Sequence, residues 1–371
     1  MGLALAYELA CQGQSNVVVL EGRHLAWGAS GRNGGGVRQQ WSSALNIQLM
    51  QESVRICKSL AQRLRTNIWM RQGGYLFLAT TAARVQRMEK NVALQNEHGV
   101  ATRMIDVDEA RRIVPALCTD GVRGACYNPT DGIVFPWPFL WGYAAAAEAK
   151  GVHIETFCPV TAMDARADGY ELHTPRGTYQ AHRVVNAAGA WSPEVARLLD
   201  VHLPTWPARH EILSTEALKP FLDPMVSVMD TGLYASQSLR GEVVGGITLH
   251  EHDAPGNTTP IALGSRLTFL RAMGAALTAL LPQLGSVKVV RQWAGPYDHS
   301  PDGSPLLGEV PGRPGFFVCC GFVGHGFMMA PVVARHYARH LLGKATHPIF
   351  RAWRPSRFAE GEPVTEDWNI G

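Results

Sequence analysis

The sequence carries no surplus of either charge: 34 lysines and arginines stand against 31 aspartates and glutamates, for a formal net charge of +3, without a basic tract. That excludes a nucleic-acid or anionic membrane surface as the partner and leaves small molecules or other proteins. The seven cysteines (Cys11, Cys57, Cys118, Cys126, Cys158, Cys319, Cys320) include no C-x-x-C pair. An odd set with that spacing missing argues against a zinc site and a disulfide framework, so reduced thiols in the cytoplasm are expected. No apolar run reaches the roughly 20 residues of a bilayer span, and no charged leader precedes one, so neither a transmembrane segment nor a targeting peptide is expected. The 38 glycines and 23 prolines are scattered, forming no repeat or linker, which excludes fibrous and disordered classes.

What is present is apolar material, 46% of 371 residues, enough for a sizeable core and for two domains. Leu3 to Gln12 has helical spacing, and Asn16 to Leu20 is a β-branched run of buried-strand type. Helices are expected at Ala44–Leu64, Thr81–His98, Phe139–Lys150, 261–281 and 327–342. Strands are expected at Gly73–Ala79, Val152–Phe157, Arg183–Ala187, Val287–Gln292 and Gly315–Cys319, a hairpin at Val160–Tyr179, and several antiparallel strands between 209 and 250. Alternating strands and helices at both ends, around blocks of antiparallel pattern, predict a mixed α/β fold. Its expected parts are a discontinuous Rossmann-like domain (1–78, 150–208, 286–371) and a substrate domain with a mostly antiparallel sheet (79–149, 209–285).

Two motifs carry chemistry. The strand Val17-Val18-Val19-Leu20 ends at Glu21, where a dinucleotide-binding unit places an acid to accept hydrogen bonds from ribose hydroxyls. Of the glycine loop that precedes such a strand only the last member, Gly2, stands in the chain, so a parallel sheet without its central member is expected, with Met1 an internal methionine of the motif. The second motif is Gly28-Ala29-Ser30-Gly31-Arg32-Asn33-Gly34-Gly35-Gly36-Val37-Arg38. Its small residues let backbone amides approach a ligand, while Arg32 and Arg38 supply cationic forks for phosphate or carboxylate.

This stretch resembles the motif of the D-amino acid oxidase and sarcosine oxidase flavoproteins, particularly their sarcosine oxidase β-subunit-like branch. Further matches follow in order: Asn186-Ala187-Ala188-Gly189-Ala190-Trp191-Ser192, Arg291-Gln292-Trp293-Ala294-Gly295 with Pro301-Asp302-Gly303-Ser304-Pro305, and Gly321-Phe322-Val323-Gly324-His325-Gly326-Phe327. The resemblance implies FAD, a hydride moved from the carbon beside an amine nitrogen, and an imine that water hydrolyses. It implies that Ser30, Arg32, Asn33, Gly34 and Gly35 line the diphosphate and ring, and that Val160 contacts the adenine. Ala188, Gly189 and Trp191 would pass the dinucleotide, and Gly321, Gly324, His325, Gly326, Phe327 and Met328 would open the last helix at the flavin. There a positive dipole end stabilises charge on the reduced ring. Arg38 and Tyr297 are the implied carboxylate ligands, and His325 joins them as a catalytic candidate.

Two departures qualify the resemblance. Gly295 stands where monomeric sarcosine oxidases carry a flavin-linking cysteine, and Met328 where they carry a carboxylate-binding lysine. Phe135-Pro136-Trp137-Pro138 offers no linking histidine. Noncovalent FAD and a more apolar pocket are therefore expected, with sarcosine, proline, glycine or opine-type substrates and partner subunits of a heteromeric enzyme. Competing readings are a truncated or noncatalytic subunit and an NAD-dependent dehydrogenase. His299 and His250 read as exposed loop histidines, Cys319 and Cys320 as core thiols, Trp137 and Trp141 as packing, and Arg351 to Arg357 as a solvated terminus.

Overall fold

The computed structural model describes residues 1–249, 262–366 and 368, so His250 lies outside the described residues. Helix α1 (Gly2–Cys11) leads to strand β1 (Val18–Leu20), the short β2 (Gly36–Val37) and the long helix α2 (Ala44–Leu64). Next come β3 (Tyr75–Ala79), α3 (Ala82–Glu97), β4 (Arg103–Ile105), α4 (Val107–Ile113), β5 (Gly124–Asn128), β6 (Gly132–Ile133) and α5 (Pro136–Glu148). Strands β7 (His153–Glu155), β8 (Ala162–Arg166), β9 (Gly169–Thr174), β10 (Gly177–Ala181) and β11 (Val184–Asn186) precede α6 (Ser192–Arg197). The chain continues through β12 (Trp206–Ala217), β13 (Met225–Val228), β14 (Leu233–Gln237), β15 (Glu242–Gly246), α7 (Leu267–Leu280), β16 (Val289–His299), β17 (Leu306–Glu309), β18 (Phe316–Cys320) and α8 (Gly326–Leu341).

One layer is an eight-stranded sheet in the order β16-β12-β15-β14-β13-β3-β5-β4, antiparallel except where β13 runs alongside β3. The other holds the parallel pairs β1 with β7 and β11 with β18. These lie in two separate strips, the form expected of a parallel sheet without its central member. Helix α2 follows from its pattern: Ile47, Met50, Val54, Cys57, Leu60 and Leu64 recur at helical spacing and are buried, and the Ser43 hydroxyl caps the start by accepting from the Asn46 amide. Its apolar face packs with α1, α5 and α8 in one core. A second core joins Leu213, Val226 and Ala235 of the large sheet to Phe269, Met273 and Leu277 of α7.

Three elements fall on the other side of the expected division, the first being β3, which pairs with β13 and β5 within the large sheet. Strand β16 pairs with β12 over nearly its whole length and so belongs to the large sheet. Helix α5 buries Phe139, Leu140, Tyr143, Ala144 and Ala147 and packs on α1 and α2, because a helix this apolar is covered on more than one side. The Val160–Tyr179 hairpin gains a third strand, β10. Trp141 is exposed, so its pairing with Trp137 is a surface contact.

Arg351 to Arg357 is not a solvated terminus either. Arg357 is fully buried and grips both Asp302 oxygens at 2.8 Å, while donating to the carbonyls of Ser304 and Pro305 at 2.8 Å. The Pro301–Pro305 motif presents a buried carboxylate, and only a guanidinium can reach both its oxygens. Burial raises the Asp302 pKa, but the bonds from Arg357 outweigh it and hold the carboxyl below its ordinary value. Arg357→Ala is expected to cost about 3–5 kcal/mol, because it strands a buried charge; a urea titration followed by circular dichroism checks this against wild type.

Candidate active site

The segment from Gly28 to Arg38 leaves β1 as a helical turn, Ala29–Arg32, and is braced by its own polar groups. The Asn33 carboxamide accepts from the Gly35 amide at 2.7 Å and donates to the Ser30 carbonyl. Arg32 donates to the carbonyls of Trp27 at 2.9 Å and Ala294 at 3.1 Å, and the Trp293 indole donates to the Arg32 carbonyl, which ties the loop to β16. Gly35 must be glycine: its φ is +76° and a Cβ would lie 2.0 Å from the Val134 oxygen. Gly295 faces only Arg32 and Ala29.

The turn from Gly321 to Phe327 meets this loop. The Asp298 carboxylate accepts from the Gly321 amide at 2.7 Å, and burial pushes its pKa up to about 6 against the pull of the Phe322 and Gly321 amides. Gly324, at φ +81°, lies beneath the Tyr297 ring, 2.5 Å from where its Cβ would be. His325 caps α8 and brings its Nε2 to 3.3 Å from the Arg38 guanidinium, with the Trp41 ring at 4.9 Å. Arg38 is 1% exposed. Its other acceptors are the carbonyls of Gln40 and of Trp368, the latter at 2.7 Å, and among the described residues no carboxylate pairs with it. Phe327 and Met328 turn their side chains into the core, Phe327 against Phe139 and Met328 against α2.

Between loop and turn the large sheet inserts a stack of rings. His210 lies 4.7 Å from Tyr297 and 5.8 Å from Tyr234, nearly parallel to both, and its Nε2 is 3.2 Å from the Tyr234 hydroxyl. Three glycines make room: Gly34 against the Tyr234 ring, Gly246 against the Tyr234 hydroxyl and His210 Nε2, and Gly324 against Tyr297. Burial lowers the His210 pKa to about 4, helped by His299. His299 is no exposed loop residue: it ends β16 between Trp206 and Tyr297, and burial lowers it to about 4 as well. The sequence reading missed His210, Tyr234 and Asp298. The available sign was Arg209-His210-Glu211, polar residues interrupting a strand that is otherwise buried.

At the far end, the Glu21 carbonyl accepts from the Cys158 amide, which brings Glu21 beside the segment leading to Val160. Burial raises the Glu21 pKa against the Arg23 amide bonded to its carboxylate. Gly2 faces only Ala187, Gly189 has φ +56° with open space beside it, and Gly28 faces the Trp191 ring. These contacts form a path in which Glu21 lies beside the segment leading to Val160, Gly2 beside Ala187, Gly28 beside the Trp191 ring, and Gly324 and His325 beside Tyr297 and Arg38 respectively. The bare backbone at Gly2 and Gly189, with a 16-residue helix starting at the other end, fits an extended dinucleotide. A cavity of about 550 Å³ opens at the other ends of β18 and α8 and takes no part in this path.

The fold sets a mainly antiparallel eight-stranded sheet beside parallel strand pairs. Residues 1–340 match the model of the FAD dependent oxidoreductase (DAO) family, and the chain belongs to that family. It is similar to sarcosine oxidase subunit beta of Rhizobium meliloti, 29% identical over 98% of this chain and 88% of the relative. The human mitochondrial dimethylglycine dehydrogenase is 27% identical over 92% of this chain, which spans only 41% of that protein's length. Among solved structures, L-proline dehydrogenase from P. horikoshii superposes with a TM-score of 0.91 at 31% identity, covering 98% of this chain and 96% of the other. Among the described residues of this chain no helix is long and apolar enough to cross a membrane.

His210 generates a stability prediction. A histidine at about 4 in the folded state and near its ordinary value of 6.5 when unfolded binds fewer protons folded. Its contribution is therefore whole above pH 6.5 and falls as pH drops toward 4, by up to about 3 kcal/mol. His210→Phe is expected to flatten this acid limb, read from urea midpoints at a series of pH values.

Proposed function

We propose that the chain oxidises the C–N bond of a small amino acid or amine of the sarcosine, proline, glycine or opine type, giving an imine that water hydrolyses. The single observation that carries this is Arg38, a buried guanidinium whose acceptors among the described residues are two backbone carbonyls and the His325 imidazole. Isolating a cation from water costs several kcal/mol, and a substrate carboxylate would offset it. The printed names of the sarcosine oxidase and proline dehydrogenase relatives support the same class.

When bound, FAD would supply the hydride acceptor. Gly2, Ala188 and Gly189 would admit its backbone-hugging diphosphate, Glu21 its ribose and Val160 its adenine. Ser30, Arg32, Asn33, Gly34 and Gly35 would flank the ring and its tail. Gly295 offers no nucleophile, so attachment is noncovalent. At the other face the first turn of α8, from Gly324 and His325 through Gly326, Phe327 and Met328, presents its positive dipole end.

Arg38 and the Tyr297 hydroxyl hold the carboxylate, orienting the carbon that gives up hydride. The amine must be unprotonated, because its nitrogen lone pair forms the C=N bond as the hydride leaves. The His210 imidazole, neutral above its low pKa, accepts a hydrogen bond from the Tyr234 hydroxyl and leaves the Tyr234 oxygen to accept one from the substrate amine, which sheds its ammonium proton to solvent on binding. Likeness to a subunit named beta supports assembly with partner subunits.

The purified protein should show flavin bands that bleach when sarcosine, proline or glycine is added without oxygen. A colourless protein, or bands indifferent to every such amine, would sink the reading. Arg38→Ala is expected to raise KM about a hundredfold, from losing a charge-assisted bond, with flavin content held. Tyr234→Phe should lower kcat about 10²-fold with flavin content held, since the amine loses the acceptor that orients it; stopped-flow flavin reduction measures this.

A further inference from the structure

We propose that Val364, Glu366 and Trp368 form a strap that occupies the carboxylate site at Arg38 and is displaced by the incoming carboxylate. The proposal rests on the reading of Arg38 as the substrate's anion site and adds regulation of that site by the chain itself.

The strap has a fixed end and a latch. At the fixed end the Val364 amide donates to Asp302 at 2.8 Å and the Val364 carbonyl accepts from the Ser304 hydroxyl at 2.6 Å, on the same node that holds Arg357. The latch is Glu366, whose carboxylate accepts from the Ser42 amide at 3.0 Å, the Ser42 hydroxyl, the Ser43 hydroxyl at 2.9 Å and the Asn46 carboxamide at 2.7 Å. These donors surround the start of α2, where a helix of 21 residues favours an anion.

Beyond the latch, Trp368 is buried edge-on against Phe77, at 5.3 Å between ring centres. It shares a cluster with Tyr75, Ile212 and Tyr234, the sheet face next to the ring stack. Its amide donates to Glu366 at 3.0 Å, and its carbonyl takes the Arg38 guanidinium at 2.7 Å. A neutral carbonyl is a weaker partner for a guanidinium than a carboxylate, which is charged and can accept two parallel bonds. Since Arg38 is otherwise enclosed by Trp41, Phe77 and His325, a ligand reaches this donor by replacing the Trp368 carbonyl.

The test uses the FAD-loaded protein and acetate, a carboxylate that cannot be oxidised at a C–N bond, with flavin absorbance reporting binding. Ending the chain after Val364 should tighten acetate roughly tenfold, because the competing acceptor is gone; in an Arg38→Ala background the same truncation should change nothing. In wild type, acetate should speed hydrogen exchange at the Ser42 and Trp368 amides, both bonded to Glu366. Should the truncated chain fail to fold, Trp368→Ala in the full chain gives the same reading through acetate affinity.

Unchanged or weaker acetate binding after truncation, no acetate binding in any variant, or binding without faster exchange at those amides overturns the strap. The amine reading fails separately: if no amine bleaches the flavin while truncation still tightens acetate, the strap stands without it.

Discussion

A full positive charge is held away from water at Arg38 with carbonyls and an imidazole for company and, among the described residues, no carboxylate paired with it. A buried guanidinium in that condition keeps its charge and lacks the compensation that buried charges normally have. The surrounding construction makes it tolerable: Trp41 and Phe77 stand within cation–π range, and Asp131 and Glu366 act from farther off. The loop that carries Arg38, the helix start that carries His325 and the sheet that carries Phe77 must all be in place for that enclosure to exist.

Glycine decides how closely those three parts meet. Gly34, Gly246 and Gly324 come from separate segments, and each leaves the space that a ring of the Tyr234, His210 and Tyr297 stack fills. A side chain at Gly324 would both oppose its left-handed backbone and drive into the Tyr297 ring. Asp298 adds the polar half of the same arrangement by fixing the Gly321 amide, and Asn33 does so for the loop. The meeting of these segments is shaped by absent side chains and by a few buried acceptors.

Much of this was legible beforehand. The helical spacing of Ala44–Leu64, the β-branched run before Glu21 and the order of the glycine motifs are local properties, and the structure realises them. Harder to read were residues whose role arises from a partner far along the chain. His210 looked like a polar strand residue until β14 and β16 flanked it, and Arg357 like a surface charge until Asp302 lay against it. Trp368 had no periodicity to mark it, yet it is buried 330 positions away from the Arg38 that it contacts.

By itself the sequence determined the alternation of elements, the glycines where segments come close together, and the family, because periodicity and glycine motifs act within a few residues. Only the tertiary structure decided that β16 joins the large sheet, that Arg32 braces the loop through Trp27 and Ala294, and that Arg38 is enclosed with a neutral carbonyl on its guanidinium. Those outcomes depend on which distant groups share a buried space, and the cost of leaving a buried charge or donor unmatched is settled there.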